Sequence, residues 1–121
     1  YKNGTIMCGV SAGAICWFDS GITDSWADDL KLIDCLGFAK GVCCPHFDEE
    51  PERRPTVHRM LKNEIIDSCI AIDGGSALHL INETPHESIV FSEKKNAYHV
   101  FLDNDSINES SFSSKYIFTN K

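Results

Sequence analysis

The stretch Thr5-Ile6-Met7-Cys8-Gly9-Val10-Ser11-Ala12-Gly13-Ala14-Ile15-Cys16-Trp17-Phe18 decides the fold class. Its first six residues form a short apolar run with no polar alternation, which predicts a strand buried on both faces. Small residues follow and then bulky ones, which predicts a tight turn into a buried helix. Gly9-Val10-Ser11-Ala12-Gly13 therefore meets both the pattern and the context of a G-x-S-x-G nucleophile elbow, in which a strained strand-to-helix turn lifts a serine hydroxyl clear of a sheet. Glycines at both flanks allow an approach of strand and helix that a Cβ would obstruct. The Ala12 N–H at the helix start would then face a developing oxyanion. The same residues also suit a plain small-residue turn that packs a helix onto a sheet.

Outward from this stretch the chain reads as strand–helix units. Residues 21–25 read as a polar loop, and Leu30, Ile33 and Leu36 as a short helical or irregular segment closed by Gly37. Residues 39–44 form a second strand ended by Pro45. Asp48-Glu49-Glu50-Pro51 reads as a helix start, with Val57, Met60 and Leu61 on the apolar face. Residues 68–72 form a third strand, stopped by Asp73-Gly74-Gly75. Beyond it the texture is a β-meander over about 77–121: strands at 77–81, 88–91 and 97–102, a loose Asn/Ser-rich loop over 103–114, and a final edge strand at 115–119. No internal repeat is present. The class is α/β with an antiparallel extension, in one domain over 1–121.

Composition bounds the function. The chain has 121 residues, 42% hydrophobic and 24% charged, as in an ordinary globular domain. Its formal charge of −7 disfavours nucleic acid or an anionic membrane as partner. No apolar run reaches the roughly 20 residues that span a bilayer. Six cysteines (Cys8, Cys16, Cys35, Cys43, Cys44, Cys69) lack any C-x-x-C pair and lie mostly in apolar stretches. They read as reduced core residues, which suits a cytoplasmic location. A Cys43/Cys44/His46 metal cluster lacks a fourth ligand at sensible spacing, so no metal is expected.

A nucleophilic serine needs a base. His79 and His99 lie in alternating strands, His86 in a turn and His58 on a polar helix side. His46 follows a buried-looking strand directly, and Asp73 sits past another. Ser11, His46 and Asp73 thus each stand beyond the carboxyl end of a separate strand, the edge where open α/β sheets bind ligands. Their order, Ser…His…Asp, is not that of an ordinary α/β-hydrolase.

At these residues the chain resembles the peptidase E (aspartyl dipeptidase) family of serine peptidases, to which cyanophycinase is related. The motifs are Gly9-Val10-Ser11-Ala12-Gly13-Ala14, the run Pro45-His46-Phe47-Asp48-Glu49-Glu50-Pro51-Glu52-Arg53-Arg54-Pro55, and Ala71-Ile72-Asp73-Gly74-Gly75-Ser76-Ala77-Leu78. Gly21-Ile22-Thr23-Asp24-Ser25 and Asp34-Cys35-Leu36-Gly37-Phe38 also look family-like. The resemblance implies a flavodoxin-like, mostly parallel sheet related to class I glutamine amidotransferases, cleavage of dipeptides or short peptides, Ser11 as nucleophile, His46 as base and no cofactor. It further implies that the chain is the C-terminal part of a longer protein, whose glycine-rich loop ahead of the elbow supplies the second oxyanion donor.

In peptidase E and cyanophycinase the acidic triad member falls one place after Asp73, at the position of Gly74. Asp73 is then either the acid, shifted by one residue in a Gly-Gly turn, or a turn residue. Arg54 is a candidate grip for a substrate carboxylate; the alternative is that Arg53 and Arg54 pair with Glu49, Glu50 or Glu52 on a solvated face. A rival reading is a non-catalytic, amidotransferase-like binding domain, or an inactive piece of an active parent. The partners expected are a small peptide substrate and, through exposed strand surface, further copies in a homo-oligomer.

Overall fold

The computed structural model describes residues 1–117. In chain order its elements are α1 (Ala12–Ile15), β1 (Phe18–Thr23), β2 (Lys31–Asp34), β3 (Ala39–Cys44), α2 (Arg53–Lys62), β4 (Ser68–Ile72), β5 (Ser76–Ile81), β6 (Thr84–Val90), β7 (Ala97–Asp103), β8 (Ser106–Ser111) and β9 (Ser114–Tyr116). Six strands form one sheet in the order β2-β1-β3-β4-β7-β8, and a smaller sheet runs β5-β6-β9. At the centre of the larger sheet β1, β3 and β4 are parallel, while β2, β7 and β8 pair antiparallel at its flanks. The fold is therefore mixed α/β: parallel pairing in the larger sheet is confined to its middle, and in the smaller sheet β9 pairs parallel with β6.

The central strands carry apolar side chains on both faces, as a covered parallel sheet requires. On one face Cys44, Cys69 and Ala71 pack with Ile22, Phe47 and the Val57, Met60 and Leu61 stripe of α2. On the other, Cys43 and Ile70 pack with Ile15 and Phe18, with Leu78 and Leu80 of β5 against them. Alternate residues of β3 and β4 thus belong to different cores, which is why these strands read as unbroken apolar runs.

Several expectations are corrected. Residues 5–10 form no strand; they are extended and exposed, with Ile6 90% and Val10 80% accessible. Residues 18–23, read partly as a loop, are the strand β1. Its polar Asp19 accepts the Gly41 N–H at 2.9 Å, and Gly21 leaves room for the Ile15 side chain. The Leu30/Ile33/Leu36 segment is the edge strand β2, and the positive φ of Gly37 belongs to a turn whose N–H returns to the Phe18 carbonyl. The loose loop of 103–114 is largely a hairpin: Asn104 and Asp105 both take left-handed torsions and turn β7 into β8. Of the final strand, 114–116 is paired with β6, and Phe118 and Thr119 lie outside the described residues.

Candidate functional site

Ser11 is held in a backbone conformation of φ 56° and ψ −118° immediately before α1. Such torsions are rare for a residue with a Cβ and persist only where the surroundings enforce them. Gly9 is part of that enforcement: a Cβ there would fall on the Gly13 carbonyl, so the chain before Ser11 and the helix after it touch at backbone distance. The Gly13 N–H closes the turn on the Val10 carbonyl at 2.9 Å, and Ala14 and Ile15 both donate to the Ser11 carbonyl. Ala12, as the first residue of α1, has no intrahelical acceptor for its N–H. Ser11 therefore stands at a tight turn into α1, and no paired strand leads into that turn.

His46 follows β3 and Pro45 and also carries a positive φ, 55°. The chain is pinned directly after it. Phe47 is 1% exposed in the core, and its N–H donates to the Ile72 carbonyl at 3.0 Å. The Glu49 and Glu50 N–H groups return to the His46 carbonyl, which folds 46–50 into a tight turn. This geometry brings the His46 Nε2 to 2.9 Å from the Ser11 Oγ across 35 residues of sequence. The other ring nitrogen, Nδ1, lies 2.7 Å from the Glu49 Oε2.

Asp73 stands past β4 as expected, and its carboxylate is engaged at the start of β7. Oδ2 accepts the Asn96 N–H at 3.1 Å and the Tyr98 hydroxyl at 3.2 Å. Burial raises the Asp73 carboxyl above its ordinary value against the pull of the Asn96 N–H, and the neighbouring Asp48 adds to the rise. In the structure the carboxylate in contact with the ring is that of Glu49 and not that of Asp73. Sequence reasoning missed it because Asp48-Glu49-Glu50 reads as acid at a helix start. In the structure α2 begins only at Arg53. The three acids instead serve different partners: Asp48 accepts the Gly74 N–H and meets the Lys95 ammonium, Glu49 meets His46, and Glu50 holds Arg53.

The two arginines part company. Arg53 is buried, donating from Nη1 to the Ile22 carbonyl at 2.8 Å and from Nε to Glu50 at 2.6 Å. Arg54 stacks over the Phe47 ring at 4.5 Å, and its Nε lies 3.2 Å from the Glu109 Oε1 without hydrogen-bond alignment. It lines an open cleft of about 400 Å³ with Asp48, Pro51 and His58. Of the expected alternative pairings with Glu49, Glu50 or Glu52, Arg53 makes the one with Glu50, from a buried position and not on a solvated face.

The remaining histidines are engaged elsewhere: His58 with Glu109, His79 with Glu87 and the His86 ring, and His99 with the Phe101 ring. All six cysteines are free thiols. Burial pushes the Cys44 thiol up to about 11 and raises Cys43 and Cys69 also, so these three are poor nucleophiles. Among the described residues no group of three or more His, Cys, Asp or Glu is placed to hold a metal ion, and no helix is long and apolar enough to cross a membrane.

A serine hydroxyl hydrogen-bonded to an imidazole, which is itself in contact with a carboxylate, is a nucleophile–base arrangement. Comparison with known proteins agrees in kind. The family model of peptidase family S51 matches residues 1–88. The chain is also 41% identical over 117 residues to an uncharacterized peptidase, YgaJ, of Bacillus subtilis (strain 168), covering 97% of this chain and 50% of that protein. It thus spans half the length of that relative.

Proposed function

Since the chain belongs to peptidase family S51, the peptidase E family, we propose that it is the part of a serine peptidase that carries the nucleophile and the base, acting on dipeptides or short peptides. The observation that carries this reading is the 2.9 Å contact between Ser11 Oγ and His46 Nε2, made at a serine held in a strained corner at a helix start. His46 takes the hydroxyl proton as Ser11 attacks the peptide carbonyl. The Ala12 N–H supports the tetrahedral oxyanion, and the leaving amine collects the proton from His46. Water then repeats the sequence on the acyl-enzyme. Arg54, beside the cleft, is the candidate grip for a substrate carboxylate.

The fold that suits this chemistry is a flavodoxin-like, amidotransferase-like sheet. In support of it, Ser11, His46 and Asp73 gather near the carboxyl ends of the parallel strands β3 and β4, where such sheets bind ligands.

The test is covalent labelling of the protein at its full natural length with a fluorophosphonate, beside hydrolysis of a panel of Asp-X and other dipeptides. Labelling is expected to vanish in Ser11→Ala and to fall by about 10²-fold or more in His46→Ala. Labelling that persists in Ser11→Ala removes the nucleophile.

A further inference from the structure

Position 74 is glycine for a reason that its backbone does not supply. Gly41 and Gly75 take left-handed torsions, but Gly74 does not, so the chain conformation there would accept an L-residue. What a side chain there would meet is a carboxylate: a Cβ on Gly74 would fall within the carboxyl group of Glu49, which would have to move from its place. Position 74 is also where the family resemblance places the acidic triad member, which this chain lacks. The space that a side chain at position 74 would enter is taken by the carboxylate of Glu49, from the turn after β3, which also meets His46.

Resting on the reading of Ser11 and His46 as nucleophile and base, we infer that Glu49 is the positioning residue of His46 and that it replaces, from a new site in the chain, the acid absent at position 74. The 2.7 Å contact between Glu49 Oε2 and His46 Nδ1 fixes the ring. A carboxylate can only accept, so in the neutral imidazole Nδ1 carries the hydrogen and Nε2 is left to accept the Ser11 proton. As the imidazolium forms, its charge develops beside the same carboxylate.

The neighbouring contacts hold this geometry. Asp48 accepts the Gly74 N–H at 2.8 Å and meets Lys95, tying the turn to the start of the 74–75 segment. Glu50 is locked to Arg53 at 2.6 Å, so Glu49 is the member of the acidic run left at the imidazole. Asp73 does not compete, since Asn96 and Tyr98 draw its carboxylate toward β7.

The experiment measures the fluorophosphonate labelling rate in the full-length protein for Glu49→Gln, Glu49→Ala, Gly74→Ala and the pairs Glu49→Ala/Gly74→Ala and Glu49→Ala/Gly74→Glu. Each variant is checked for the parent's circular-dichroism melt. Glu49→Gln is expected to slow labelling by about 10²-fold. Gly74→Ala should slow it too, by displacing the Glu49 carboxylate, yet add nothing in the Glu49→Ala background, a non-additivity that a merely structural glycine would not give. The relocated acid of Glu49→Ala/Gly74→Glu should recover about tenfold or more over Glu49→Ala, within the range of such acid–base effects. Parent-like labelling of folded Glu49→Gln, with none in Ser11→Ala, overturns the proposal and leaves the nucleophile standing. So does a loss seen in Asp73→Asn but not in Glu49→Gln. Labelling of Ser11→Ala would overturn the reading beneath it as well.

Discussion

Ser11 and His46 share an uncommon property beyond their contact: both are non-glycine residues with φ near 55°. The other such residues, Glu64, Asn82, Glu83, Lys94, Asn104 and Asp105, sit at helix or strand ends and turns. Strain of this kind costs about 1–3 kcal/mol per residue and must be met by local packing. At Ser11 the packing is the backbone contact between Gly9 and Gly13. Gly9→Ala should therefore open the corner: loss of about 1–3 kcal/mol, the cost of overpacking, together with a fall in fluorophosphonate labelling larger than that of Val10→Ala, whose side chain is exposed. A Gly9→Ala protein that labels at the parental rate would show that the serine does not depend on this contact. Ser11 and His46 were legible in the sequence because each is announced by its own neighbours, glycines in one case and a strand-ending proline in the other. Glu49 was not, because its role comes from a turn that places it opposite Gly74, and no local pattern distinguishes it from Asp48 or Glu50.

At the scale of elements, legibility followed burial. β3, α2 and β4 were readable because each carries a pattern that only a covered strand or a one-faced helix produces. β1 was not: Gly21, Ile22 and Thr23 read as part of a polar loop, yet all three pair with β2, and the Asp19 carboxylate beside them accepts the Gly41 N–H. The hairpin of β7 and β8 was concealed by Asn104 and Asp105, which were read as loop residues although residues of this type are suited to a tight hairpin turn. The least foreseen device is Arg53, the first residue of α2, which ties that helix to β1 through the buried Ile22 carbonyl and to the turn of residues 46–50 through Glu50. Arg53→Met keeps much of the stem but removes the Nη1 donor from that carbonyl. It should cost about 2 kcal/mol, the penalty of an unmade buried hydrogen bond, read as a lower urea midpoint with an unchanged slope. Arg53→Lys should recover only part of it, since one ammonium cannot reproduce the fork. A midpoint equal to the parent's in Arg53→Met would mean that the helix is held by its apolar stripe alone.

At the scale of the molecule, two properties of these 121 residues oppose each other. Residues 1–10 are exposed throughout and include Ile6 and Val10 at 90% and 80% accessible, with Leu36 and Phe38 exposed also. Apolar surface of that kind, next to an extended segment without strand partners, favours association between copies. Against it stands a net charge of −7, which makes copies repel at neutral pH. The balance depends on pH: as the pH falls toward the isoelectric point near 5.1 the repulsion disappears while the apolar surface stays. Salt acts in the same direction at pH 7, because the Debye length shrinks from about 30 Å at 0.01 M to about 3 Å at 1 M. The isolated chain should therefore scatter as a larger species at pH 5.5 than at pH 8, and as a larger species in high salt than in low salt at pH 7. Replacing Ile6 and Val10 by serine should weaken both trends without altering the cooperative melt, since neither side chain belongs to a core cluster. A scattering mass that stays monomeric across these conditions would mean that the N-terminal segment folds back over its own apolar side chains in solution.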